Sequence, residues 1–206
     1  MKEREKNTND QYKDVRIGCD CSIMEHGVRF IVEYSEIGEL LHRLFVNREL
    51  DEWYKIKCAE KIKVPDELNQ MKGLKKVEVR DLNNPSGEIH IHLQSLSGEN
   101  GFHLEQQINI KVSKLVPVYV LDYRYSLRHE LIDGAYDIVG TAESLEFIQG
   151  TNYINKIMQE KGYIELSYLY DYYDTVYEWS ELPHIQPFNR RLTLGDALFT
   201  DVLELL

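Results

Sequence analysis

Residues 88–111 read EIHIHLQSLSGENGFHLEQQINIK. Apolar and polar residues alternate on both sides of Gly98-Glu99-Asn100-Gly101, the pattern of two half-buried strands joined by a turn. Folding the segment about that turn puts Ile91 opposite Ile108 and Ile89 opposite Ile110, with Leu93, Leu104 and Phe102 on the same face. His90, His92, Gln94, His103, Glu105, Gln107 and Asn109 fall on the other, with His103 opposite Leu96. A one-residue slip would exchange the two faces, so the pattern fixes the register. It predicts an antiparallel hairpin with one packed face and one face turned to water or a ligand.

The flanking sequence extends this reading. Val15–Ile23 also alternates, and a turn over Met24-Glu25-His26-Gly27 pairs Ile23 with Val28, Cys21 with Phe30, Cys19 with Val32 and Ile17 with Tyr34. Ser35 is placed to cap a short helix running to Phe45. Tyr54, Ile56, Cys58, Ile62 and Val64 alternate with lysines and read as a strand broken near Ala59-Glu60. Pro65 opens a helical turn, Lys75–Leu82 and Val116–Tyr125 read as strands, and Asn83–Gly87 is a turn cluster. Thr141 and Thr151 stand as N-caps of two short helical patterns separated by Gly150. The second pattern puts Ile154, Ile157 and Met158 on one face and stops at Gly162. A last helix over 195–205 buries Leu198, Val202 and Leu205. The expected fold is α+β, with an N-terminal, mainly antiparallel β-sheet and a more helical C-terminal part. Residues 1–14 form a polar tail, 15–125 the sheet region with one or two short helices, and 126–206 a mainly helical acidic region packed on it, as one domain overall.

The chain has 206 residues, 43% hydrophobic and 29% charged, with a formal net charge of −11. That is a globular composition, long enough to bury roughly 70% of the unfolded surface. No run approaches the ~18 apolar residues of a membrane span, and the opening residues MKEREKNTNDQYKD contain no apolar signal core. Net negative charge argues against nonspecific binding to nucleic acid or anionic lipid. Residues 1–125 carry 19 basic and 21 acidic side chains, whereas 126–206 carry 5 and 14. The segment Tyr54–Arg80 leans the other way, with eight basic residues against four acidic. Such a bipolar surface suits a basic partner or weak self-association of an otherwise monomeric protein.

Motifs of catalysis are missing. There is no G-x-S-x-G, Walker loop, G-x-G-x-x-G, H-E-x-x-H or C-x-x-C. Three cysteines give no disulfide framework and fit a reducing cytoplasm. In the hairpin register Cys19 and Cys21 point into the core as small buried hydrophobes. No cofactor is expected. Cys19-x-Cys21 invites a metal or redox reading, and His90-x-His92 invites a metal more sharply, with Glu105 as a further ligand. This supports an alternative reading as a metal- or small-ligand-dependent enzyme, although a solvated polar face explains the same residues.

The most distinctive stretch is acidic and aromatic: residues 163–182 read YIELSYLYDYYDTVYEWSEL. As a helix it lines up Asp171, Asp174, Glu178 and Glu181 in one stripe, with Tyr170, Tyr177 and Trp179 on its borders. Read as a strand over Tyr163–Tyr170, the stripe breaks up. Carboxylates steer a cationic surface, and Tyr and Trp supply rigid contact area. The leading expectation is therefore a non-catalytic binding or inhibitor protein for a basic protein partner. In size, acidity and cytoplasmic character the chain resembles bacterial immunity proteins that neutralise nuclease-type toxins, without a shared motif. A third reading is a structural or assembly protein that self-associates, the basic 54–80 region of one copy meeting the acidic C-terminal half of its neighbour.

Overall fold

Ile89 and Ile91 face Ile110 and Ile108 across β2 (Ser86–Leu93) and β4 (Phe102–Ser113), the register expected from the sequence. The computed structural model describes residues 26–98, 100–182 and 191–206. Around this pair a seven-stranded sheet runs in the order β1 (Leu74–Arg80), β2, β4, β5 (Val118–His129) and β6 (Tyr136–Gly140). Two-residue strands complete it: β3 (Leu96–Ser97) pairs with β4, and β7 (Ile164–Glu165) pairs in parallel with β5. All other pairings are antiparallel. The class is α+β.

The apolar face of the sheet is covered by α4 (Leu145–Glu160) and the 3-10 turn Asp66–Gln70. Helix α4 is continuous where two short helices are expected. Its N-cap is Ser144, whose Oγ accepts the Phe147 N–H, and Thr151 lies mid-helix with its hydroxyl on Tyr123 Oη. Gly150 stays inside the helix because the sheet comes too close for a side chain. A Cβ there would lie 2.8 Å from Ile108 Cδ1. Ile154, Ile157 and Met158 are buried as expected. The helix stops at Gly162 (φ +82°), where the Gly162 and Tyr163 N–H groups return to the Gln159 and Met158 carbonyls. That is the Schellman closure a left-handed glycine permits.

A second core covers one end of the opposite face. It gathers α1 (His26–Glu33), α2 (Ser35–Leu41), the π-helical turn His42–Val46, α3 (Asp51–Ala59) and α5 (Leu194–Phe199) against Val118 and Val120 of β5. β8 (Thr175–Glu178) and β9 (Arg191–Thr193) form a separate antiparallel pair beside it. Ser86 and Ser113 tie the sheet to α5 by donating to the Phe199 and Leu198 carbonyls.

Two expected strands are helices. Phe30, Tyr34, Ile37, Leu41 and Leu44 recur at spacings of three and four, which makes one helical seam, and this period overrides the alternation of Val28, Phe30, Val32 and Tyr34. Val15–Ile23, Met24, Glu25 and the two cysteines at 19 and 21 lie outside the described residues, as does Glu99. In α3, Tyr54 and Cys58 are buried one turn apart while Ile56 faces solvent. Asp51 and Glu52 sit in its first turn and Lys57 in its last, as the helix dipole favours. Ser35 begins α2, but the cap position is Tyr34, without a side-chain bond. The expected last helix ends early: α5 buries Leu198 and stops at Phe199, and Leu203 is the buried residue beyond it.

Candidate functional site

β6 forms one margin of the sheet, and among the described residues no strand pairs with its outer edge. The opposite margin, β1, carries Lys75, Lys76, Glu78 and Arg80, the charged protection common on exposed edges. β6 reads YDIVG and carries Asp137 alone. Tyr136 is 71% exposed, Ile138 50% and Val139 60%. The turn leading into it adds Leu131 and Ile132, both exposed. Tyr136 faces Leu127, which in turn faces Leu104, which faces Leu96 on β3. This row continues the apolar face of the sheet past the end of α4, where Leu145 and Ile148 are also exposed. The patch is flanked in sequence by Glu130, Asp133, Asp137, Glu143 and Glu146, every one of them exposed. Two cations stand on the neighbouring strand: Arg124 directly opposite Val139, and Arg128, which lies 3.7 Å from Glu105. The site is thus an open edge with apolar side chains and a negative rim.

The face carrying the histidines is not uniformly wet. Register places Glu78, His90, Asn109 and Asp122 in one row across four strands. His90 and Asn109 are buried. Gln107 Nε2 donates to His90 Nδ1 (2.8 Å) and to Asn109 Oδ1, Asn109 Nδ2 donates to Asp122 Oδ1 (2.6 Å), and His90 Nε2 donates to Glu88 (3.1 Å). Both ring nitrogens of His90 are therefore engaged by protein. His92 pairs instead with Glu78 at 3.2 Å, and burial, with Lys76 nearby, pushes its imidazole below the ordinary range despite that carboxylate. Glu105 lies toward Lys75 and Arg128. His90, His92 and Glu105 do not converge. Among the described residues no group of three or more His, Cys, Asp or Glu could hold a metal ion. Burial raises the Asp122 carboxyl above its ordinary value, against the Asn109 bond. His103 faces Ser97 rather than Leu96, because the register moves by one residue across Gln94-Ser95.

The helical acidic stripe is not formed. Residues 163–182 make β7, a series of turns, β8 and the 3-10 turn Trp179–Glu181. Asp171 lies in the turns; Asp174 follows them, and its carbonyl accepts the Leu194 N–H. Glu178 faces Arg191 across β8 and β9, and Glu181 accepts the Glu178 N–H at 2.8 Å. Tyr177 is half-buried beside His42, and burial, with Glu181 nearby, pushes its hydroxyl up to about 12. Tyr170 is exposed, and Trp179 opens the 3-10 turn. The cause is the local density of Tyr, Thr and Val, which favour extended backbone over helix. Tyr168, Tyr172 and Tyr173 pack together instead, with Tyr172 stacked on Phe199.

The β6 residues were not among the expected site residues. Their signal is Tyr136-Asp137-Ile138-Val139 between Gly134 and Gly140, a short β-prone run with turn residues at both ends. Among the described residues no helix is long and apolar enough to cross a membrane. Neither protein-family models, nor curated proteins, nor solved structures give a match to this chain.

Proposed function

We propose that this protein is a non-catalytic binding protein that takes an extended, basic segment of another protein as an added strand on β6. The observation that carries the reading is the outer edge of β6, which no strand among the described residues pairs, with its acidic surround. An added strand satisfies the edge's backbone groups, and side chains on alternate positions reach the apolar row. Burying each exposed Leu, Ile or Val contributes roughly 1.5–3 kcal/mol before association costs. A second copy is a poor occupant, since Asp133, Asp137 and Glu143 of each chain would meet their own kind. Lys or Arg alternating with apolar residues fits both features. The narrower form, a cytoplasmic inhibitor that gives immunity against a basic nuclease-type toxin, is supported by the net charge of −11 and the three cysteines.

Display of random peptides on the intact protein, counter-screened against Ile138→Lys, tests the reading. Recovered sequences are expected to alternate apolar residues with Lys or Arg and to lose binding on the variant. Sequences without basic enrichment, or equal binding by the variant, overturn it.

A further inference from the structure

Away from β6 the charge reverses. The linker after α3 reads Lys61-Ile62-Lys63-Val64 and joins neither a helix nor a strand. Asp81 pins it: its carboxylate accepts the Ile62 N–H at 2.8 Å and its carbonyl accepts Lys61 Nζ at 2.9 Å. Ile62 packs so closely on Gly87 that a Cβ there would lie 2.8 Å away. With Ile62 turned inward, Lys61 and Lys63 stand outward. They border two neighbouring lobes, of 290 and 520 Å³, that share Lys63, Pro117 and Tyr163 in their linings.

The lobes differ in chemistry. The smaller is lined by Lys57, Lys61, Lys63 and Lys114 against Glu60 alone. Lys114 is committed, since its ammonium reaches Asp81 and the Cys58 and Leu82 carbonyls, each at 2.8 Å. Lys57 is held by Glu60 at 2.9 Å in a largely exposed pair, weak enough to exchange onto a ligand. In the larger lobe the charges balance, Lys63 and Lys161 against Asp66 and Glu67, and Val64, Pro65, Pro117 and half-buried Tyr163 supply apolar wall.

We infer that the two lobes act as one cleft that binds a phosphate ester of a planar ring, with the phosphate against Lys57, Lys61 and Lys63 and the ring against Tyr163 and Pro117. Excess positive charge in one lobe selects the anion. The neutral, aromatic-walled lobe next to it has the size of a small-molecule site. Lys63 belongs to both lobes and joins the two halves of the ligand.

Phenyl phosphate is the minimal probe, titrated into the full chain by NMR beside inorganic phosphate and phenol. Saturable shifts are expected at the Lys63 and Tyr163 amides, with phenyl phosphate tighter than either half. Lys63→Glu should weaken it about tenfold or more, the scale of one charge-assisted hydrogen bond. Lys156→Glu, the same charge change on exposed α4, should leave it unaltered. Shifts outside the cleft, phosphate binding as tightly as phenyl phosphate, or equal losses in the two variants overturn the inference. None of these outcomes bears on strand addition at β6.

Discussion

Leu127 stands directly opposite Tyr136 across the β5–β6 pair, and both side chains are open to solvent. A cross-strand apolar pair left uncovered beside an edge that no described strand pairs is a template for a further strand. With strand addition at β6 as proposed, the acid rim should keep copies apart by Coulomb repulsion, which salt screens: the Debye length falls from ~10 Å at 0.1 M to ~3 Å at 1 M. Two opposite salt effects follow. Self-association through β6 should appear only at high salt and vanish in Ile138→Lys, as read by sedimentation velocity. Binding of a basic strand peptide should weaken over the same range. Ile138→Lys itself should change folding stability by less than about 1 kcal/mol, because the residue is exposed in an edge strand. Self-association that is strongest at low salt would remove β6 as its site.

Lys114 and Asp81 join α3, the linker and the β4–β5 turn through one buried ion pair, with side chains 3% and 10% exposed. Burial alone would raise the Asp81 carboxyl. The Lys114 bond, the Ile62 N–H and the charges of Lys114 and Lys61 outweigh it and hold the group below its ordinary value. Lys114→Met removes the counter-ion of a buried carboxylate and one donor from the Cys58 and Leu82 carbonyls, a loss of about 3–5 kcal/mol. The contribution is present above the unfolded carboxylate pKa and is lost as pH falls through the lower folded value. Urea unfolding of the two proteins at neutral and acid pH should converge toward low pH. A constant gap would mean that the charge of Asp81 is not what Lys114 stabilises.

Asp122 has the opposite sign. Its carboxyl is raised by burial, so the folded chain holds that proton to higher pH than the unfolded chain does. Stability therefore falls as pH climbs from the ordinary carboxylate range, near about 4, toward the raised value. Asp122→Asn keeps an oxygen for Asn109 and removes the charge. It should stabilise the protein at neutral pH and flatten this part of the profile, measured as urea midpoints across the acid-to-neutral range. Glu165, also raised by burial, leaves a residual slope. A loss of stability at neutral pH in Asp122→Asn would show that the charged form is the one the fold favours.

The β2–β4 register could be read because Ile89, Ile91, Ile108 and Ile110 alternate around a glycine-bounded turn, and one phase alone buries all four. Phe30, Val32 and Tyr34 fit a strand and a helix equally over so short a span. Only Ile37, Leu41 and Leu44 further on distinguish the periods. Tyr54, Ile56 and Cys58 misled for the same reason. The acidic stripe failed because i, i+3, i+4 spacing of charges says nothing about whether the tyrosines between them accept a helix. β6 carries no alternating pattern, because an edge strand with both faces open need not alternate.

Cys58 is fully buried in the second core, and burial raises its thiol to about 11. The thiolate is the reactive form, so at neutral pH its population is small even before access is counted. Alkylation of a Cys19→Ser, Cys21→Ser double variant then reports on Cys58 alone. Labelling should be slow in the native protein and should follow the global unfolding curve in urea, since α3 leaves the core only when the surrounding helices do. Tyr54, one turn away, bonds Asp201 at 2.9 Å and locks that end of the core. Tyr54→Phe removes this tie, and labelling should then begin at lower urea, in step with the shifted midpoint. Rapid labelling in the absence of denaturant would instead place α3 in local exchange with solvent, independent of the sheet.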